Sequence, residues 1–206
     1  MPVVPVLAAL VGITGAVVAV LATDSRRMTV ATGTALLAAP FVADPLPQPL
    51  ALGARLVGAA LAAYLLWTAT RQAAPLLGPL PLAGRGEAAF VVAAVAIGLL
   101  ADSVTSEALG PMAALAAGGG LLIGGLDLLA FGHDGMRLGS GALLALTGAS
   151  LVLVELGGTP GAGLEAGLAV ATAAVAGAAA WLTVTTVGSR REMRLVDRHG
   201  DLRDIG

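Results

Sequence analysis

The chain has 206 residues, 57% of them hydrophobic and only 12% charged, with a formal net charge of −2 and a mean hydropathy of +0.92. Soluble domains carry about 25% charged residues, so too few charges are present to cover a water-facing surface, and the charge balance gives no case for nucleic-acid binding. Cysteine and lysine are both absent, which removes thiolate metal sites, disulfides, thiol catalysis and any lysine Schiff base.

The charges that are present lie between long apolar runs, the pattern of a membrane protein. About 20 helical residues span about 30 Å of hydrocarbon. The first run, 2–22, has no basic residues before it and is long enough to span, so it reads as a retained transmembrane helix rather than a signal peptide. The second, 28–43, stops at the proline-dense stretch Asp44-Pro45-Leu46-Pro47-Gln48-Pro49, because proline cannot continue a helix interior. The third, 49–70, opens on Pro49, a position where proline fits the first helical turn. The fourth, 88–103, is short and carries Asp102 near its end. The fifth, 110–131, is rich in small residues, among them Gly118, Gly120, Gly124 and Gly125. Small residues let helix backbones approach in lipid, although a composition biased toward alanine and glycine would produce them without any packing purpose. The sixth is 136–156. The seventh, 160–188, follows Thr159 as an N-cap with Pro160 at the first helical position.

Residues 1–188 therefore read as one transmembrane helical domain, all-α, of about seven spans, and 189–206 as a short basic cytoplasmic tail. Ten of the 11 arginines fall after the first, third, fifth or seventh span, with Arg137 counted among those between the fifth and sixth. The positive-inside rule then puts the N-terminus outside and the tail in the cytoplasm, which implies a multi-pass protein of the inner (plasma) membrane. No internal repeat stands out. The histidines, His133 and His199, lie outside the apolar runs, which excludes a bis-histidine haem in the membrane. No catalytic residue, metal site or cofactor is expected.

Ionisable groups at membrane depth are costly and mark candidate sites. Arg55 lies about two turns into the third span, Glu165 just inside the seventh, and Asp127 near the cytoplasmic end of the fifth. These three form the expected buried polar set, with Arg55 paired to Glu165, Glu155 or Asp102 in the outer half and Asp127 apart on the inner side. Buried carboxylates relay protons when their pKa values are raised; Arg55, which does not deprotonate, suits a structural ion pair. Asp102 and Glu155 read as interfacial charges. Glu165 also has a purely structural explanation, because a helix N-terminus favours an anion.

From about His133 onward three stretches carry a likeness. They are Thr147-Gly148-Ala149-Ser150-Leu151-Val152-Leu153 in the sixth span, Leu164-Glu165-Ala166-Gly167-Leu168-Ala169-Val170 opening the seventh, and the tail phrase Arg198-His199-Gly200-Asp201-Leu202-Arg203. In these the chain resembles component E of hydrogenase-4-type and formate hydrogenlyase complexes, and through it the three-helix K-type subunit of respiratory complex I. The resemblance implies a non-catalytic subunit of an oxidoreductase assembly. It would pack beside antiporter-like partners in the bilayer, with Glu165 on a proton path. The family's mid-membrane acid in the sixth span is Leu146 in this chain, so a relay through two acids is not implied. The alternative is a small stand-alone transporter or membrane-organising protein, for which inverted repeats and broken helices would be expected.

Overall fold

A computed structural model describes residues 3–42, 48–73, 109–157 and 162–200, with side chains in 3–42, 48–73, 114–155 and 163–186. The predicted fourth span with Asp102, and the Thr159–Pro160 cap, lie outside the described residues. The helices are α1 (Val3–Leu21), α2 (Ser25–Ala38), α3 (Pro49–Ala73), α4 (Leu109–Phe131), α5 (Gly135–Gly157) and α6 (Ala162–Gly200). Among the described residues there is no strand. Five of the helices, all but α2, are long and apolar enough to cross a membrane. Large apolar side chains such as Leu7, Val57, Tyr64, Leu153 and Trp181 point outward, as lipid-facing residues do.

Local chemistry sets the helix ends. Asp24 caps α2 by accepting a hydrogen bond from the Arg26 amide at 3.1 Å, and Asp134 caps α5 from the Arg137 amide at 2.8 Å. α2 is only 14 residues long, about 21 Å. At Pro40 it tightens into the 3-10 turn Ala39–Phe41, because proline offers no amide for the α-helical ladder. α6 passes the expected end of the span at 188 and continues to Gly200, 39 residues in all and about 58 Å. That is roughly twice the hydrocarbon thickness. The loss of hydropathy after 188 marks a change of solvent and does not end the helix. Threonines within the helices, such as Thr147 and Thr172, donate to the carbonyl four residues back, which satisfies a hydroxyl in an apolar setting.

The fold contains a three-helix unit used twice. α1–α2–α3 corresponds to α4–α5–α6 at a constant spacing of 110 residues, the separation of Arg55 and Glu165. The correspondence extends to individual contacts. A Cβ placed on Gly15 would stand 2.8 Å from the Ala31 carbonyl oxygen and 3.1 Å from the Ala35 amide nitrogen. A Cβ on Gly125 would stand 2.6 Å from the Gly141 carbonyl oxygen and closer still to the Ala145 amide nitrogen. Each partner is the first-half residue displaced by 110. The capping aspartates match as well: Asp24 O accepts from the Met28 amide at 3.0 Å and Asp134 O from the Leu138 amide at 3.1 Å.

α1 packs on α4, α2 on α5 and α3 on α6, so the second unit lies against the first in register, as a translated copy. The two units run the same way. Thr29 at the start of α2 meets Thr70 near the end of α3, and Thr70 meets Met136 at the start of α5. Gly135 at the start of α5 lies against Thr183, far along α6. All of these share one end of the bundle, which is also the end of Arg27 and Arg137. Arg55 and Glu165 lie toward the other end, Glu165 being 18 residues, or about 27 Å, from Thr183 along α6. The repeat is therefore parallel. The sequence reading found no repeat; the structure has one.

Candidate functional site

Arg55 stands in the second turn of α3 and Glu165 in the first turn of α6. They occupy corresponding positions of the two units and meet across the interface between them. Arg55 Nε donates to Glu165 Oε2, and Nη2 donates to Oε1 at 2.5 Å. The planar fork of a guanidinium matches a carboxylate in this bidentate way. The side chains are 10% and 3% exposed. α6 starts at Ala162, so its N-terminal dipole adds to the forces that hold Glu165 as an anion.

A cavity of about 40 Å³ adjoins the pair. It lies between the halves and takes corresponding residues from each, Leu36 with Leu146 and Ala59 with Ala169. Its polar lining is Arg55, Thr147, Ser150 and Thr172. The three hydroxyls donate to backbone carbonyls of their own helices, so toward the cavity they offer lone pairs. Arg55 has spent two of its N–H groups on Glu165 and supplies donors with the rest. Each water needs about 10–15 Å³ of such space, so the cavity has room for about three. The arrangement solvates water or a small polar solute between a fixed cation and hydroxyl acceptors.

Of the residues expected from sequence, the structure brings together Arg55 and Glu165. Asp127 does not join them. It is buried, 7% exposed, near the end of α4 at the opposite end of the bundle. Glu155 is partly buried near the end of α5 and, like Asp127, has a polar partner of its own. Arg137 lies just inside the helix of the sixth run, and its burial is what the sequence did not show. The turn between α4 and α5 is only three residues long, so Arg137 falls in the first turn of α5 and is 4% exposed. A Cβ on Gly132 would lie 2.9 Å from the Arg137 Cβ, which shows how closely the arginine packs on the end of α4. It is a buried, partnered charge and not a loop arginine.

Sequence reasoning also missed a group of buried hydroxyls at that end. Thr29 and Thr70 share a hydrogen bond of 2.8 Å. Thr32 Oγ1 and Ser140 Oγ have no hydrogen-bond partner among the described residues. Single hydroxyls inside apolar runs give no warning in hydropathy. Only the packing of α2 on α3 and α5 shows that they are enclosed. The chain matches no protein-family model, no curated protein and no solved structure.

Proposed function

We propose that the chain is a non-catalytic subunit of a complex-I-like or hydrogenase-4-like membrane assembly. In this reading it has seven spans in the inner membrane, the N-terminus outside and the tail in the cytoplasm. The observation that carries it is the repeated three-helix unit with Glu165 buried at the junction of its two copies. The K-type subunit that residues 133–206 resemble is itself a three-helix unit, and Glu165 matches the acid that opens its third helix. Arg55 holds both carboxylate oxygens of Glu165, so the role of the pair is to order water in the adjoining cavity rather than to shuttle a proton by itself. Ala73 and Leu109 lie at opposite ends of the bundle. A chain joining them has to travel the bundle's length, which supports a crossing in the 88–103 run and an odd total. The outward faces of α3 and α6 are largely apolar and suit large membrane partners. Purification from native membranes in mild detergent tests the reading. Co-migration with multi-span, antiporter-like subunits is expected, and recovery as a lone chain would overturn it.

A second reading is favoured by one observation, the polar cavity at the interface of a parallel repeat. Carriers built from parallel repeats bind their solutes at the repeat interface. Under this reading the lone chain in proteoliposomes moves a small polar solute or protons, and a Leu36→Trp variant, which fills the cavity, abolishes that movement.

A further inference from the structure

The two units present corresponding surfaces to different surroundings. In the second unit the face made by Ala117, Gly120, Leu121, Leu128 and Ser140 is buried. In the first unit the corresponding residues Leu7, Leu10, Val11, Val18 and Val30 are exposed. They line an open groove of about 660 Å³ along α1 and α2, closed on one side by Trp67 of α3. The groove is apolar except at one end, where Arg26 and Arg27 form its mouth. Arg71 stacks over the Trp67 ring nearby, 5.5 Å from its centroid. The counterpart of Arg27 in the second unit, Arg137, is buried.

We propose that this groove is a binding site for an anionic phospholipid. Three features point to that occupant. From Leu7 to Val18 along α1 is about 16 Å, roughly half of the hydrocarbon thickness, so the groove is one leaflet deep. Its charged mouth lies where the headgroup of that leaflet belongs, and among the described residues no acidic one lines it. Basic pockets between helices on the cytoplasmic side hold anionic headgroups. The third feature is side-chain size. The buried face of the second unit carries Ala117, Gly120 and Gly124, small residues of the kind that receive another helix. The open groove carries Leu7, Leu10 and Thr14 at those positions, which keep a helix backbone away and leave a channel for a flexible acyl chain.

The test uses the full purified chain in detergent, with phosphatidylglycerol or phosphatidylcholine of identical acyl chains added and bound lipid counted by native mass spectrometry. At roughly fivefold per arginine, the two arginines give about a thirtyfold preference for phosphatidylglycerol. The Arg26→Gln/Arg27→Gln variant is expected to bind both lipids alike. Thr14→Trp, which fills the groove from an exposed position, is expected to lower the binding of both while leaving the lipid-free unfolding midpoint in place. Equal affinity of the wild-type chain for the two lipids would overturn the proposal. So would a preference that survives the double glutamine variant, or a crosslink from position 14 to a second polypeptide in native membranes.

Discussion

The Arg55–Glu165 pair makes a quantitative prediction because both partners are nearly enclosed. Replacing Arg55 by leucine leaves the Glu165 carboxylate, 3% exposed, without its cation. Removing one partner of a buried ion pair costs about 3–5 kcal/mol, chiefly the penalty for the charge left behind. That lowers the folded-to-unfolded ratio between roughly a hundredfold and several thousandfold. Replacing both residues by leucine removes the stranded charge, and such replacements are often neutral or stabilising. The double variant should therefore lie within about 1 kcal/mol of the wild type. The repeat adds a sharper variant. Because the two positions correspond in the two units and face each other, Arg55→Glu/Glu165→Arg puts the same two groups back in reversed order. The deficit that remains is the arginine now in the first turn of α6, where the helix dipole disfavours a cation by about 0.3–1 kcal/mol. Equilibrium unfolding of the full chain in mild detergent measures all four proteins. A charge swap as damaging as Arg55→Leu alone would refute the symmetric placement of the pair. A loss below about 1 kcal/mol for Arg55→Leu would refute its enclosure.

Two further predictions use the same assay. At Gly125 an added Cβ would lie 2.6 Å from the Gly141 carbonyl oxygen, so Gly125→Ala forces α4 from α5 and should cost about 1–3 kcal/mol. At Gly12 nothing lies within 4 Å, and Gly12→Ala should be neutral or stabilising by up to about 1 kcal/mol; equal effects at the two glycines would contradict the close crossing. Arg27 and Arg137 correspond in the repeat but differ in burial. Arg137→Ala should cost about 3–5 kcal/mol, and Arg27→Ala in lipid-free detergent no more than about 0.5 kcal/mol. An inverted ranking would show that the arginine at the start of α5 is not the enclosed one.

The sequence made the helices legible because apolar runs of spanning length leave few alternatives. α1, α4 and α5 start and stop within a residue or so of the apolar runs. α2 begins earlier than its run, at Ser25, because the Asp24 cap and not the hydropathy fixes its start. The burial of Arg137 was hidden for a related reason. Charge counting places it just inside the sixth run, and only the three-residue turn before it carries it under its neighbours. The repeat was hidden because the two halves need to agree only where helices touch. Gly15 and Gly125, Asp24 and Asp134, and Ala59 and Ala169 keep the register. Positions that the two units place in different surroundings, such as exposed Leu10 against buried Gly120, are under no common steric demand. The small-residue runs, which composition alone could produce, include at Gly125 and Gly148 some of the closest backbone approaches in the bundle.

A parallel repeat fused in one chain also explains the opposite charges at positions 55 and 165. Two identical units stacked in register would bring two arginines or two glutamates together there, and like charges in an enclosed site repel. Only units that differ at this position place a neutral pair at the interface. The direction of the repeat is therefore the premise on which the site rests, and it can be tested directly. With no native cysteine, single cysteines report sidedness without background. Thr23 and His133 sit in the corresponding turns before α2 and α5, while Gln48 and Gly163 sit at the starts of α3 and α6. In intact cells, an impermeant maleimide should treat the first two alike and the last two alike, and should label only one of the two groups. Labelling of Thr23→Cys and His133→Cys from opposite sides would mean that the units are inverted. The placement of the bidentate pair, the shared cavity and the proposed odd number of crossings would then all lose their common basis.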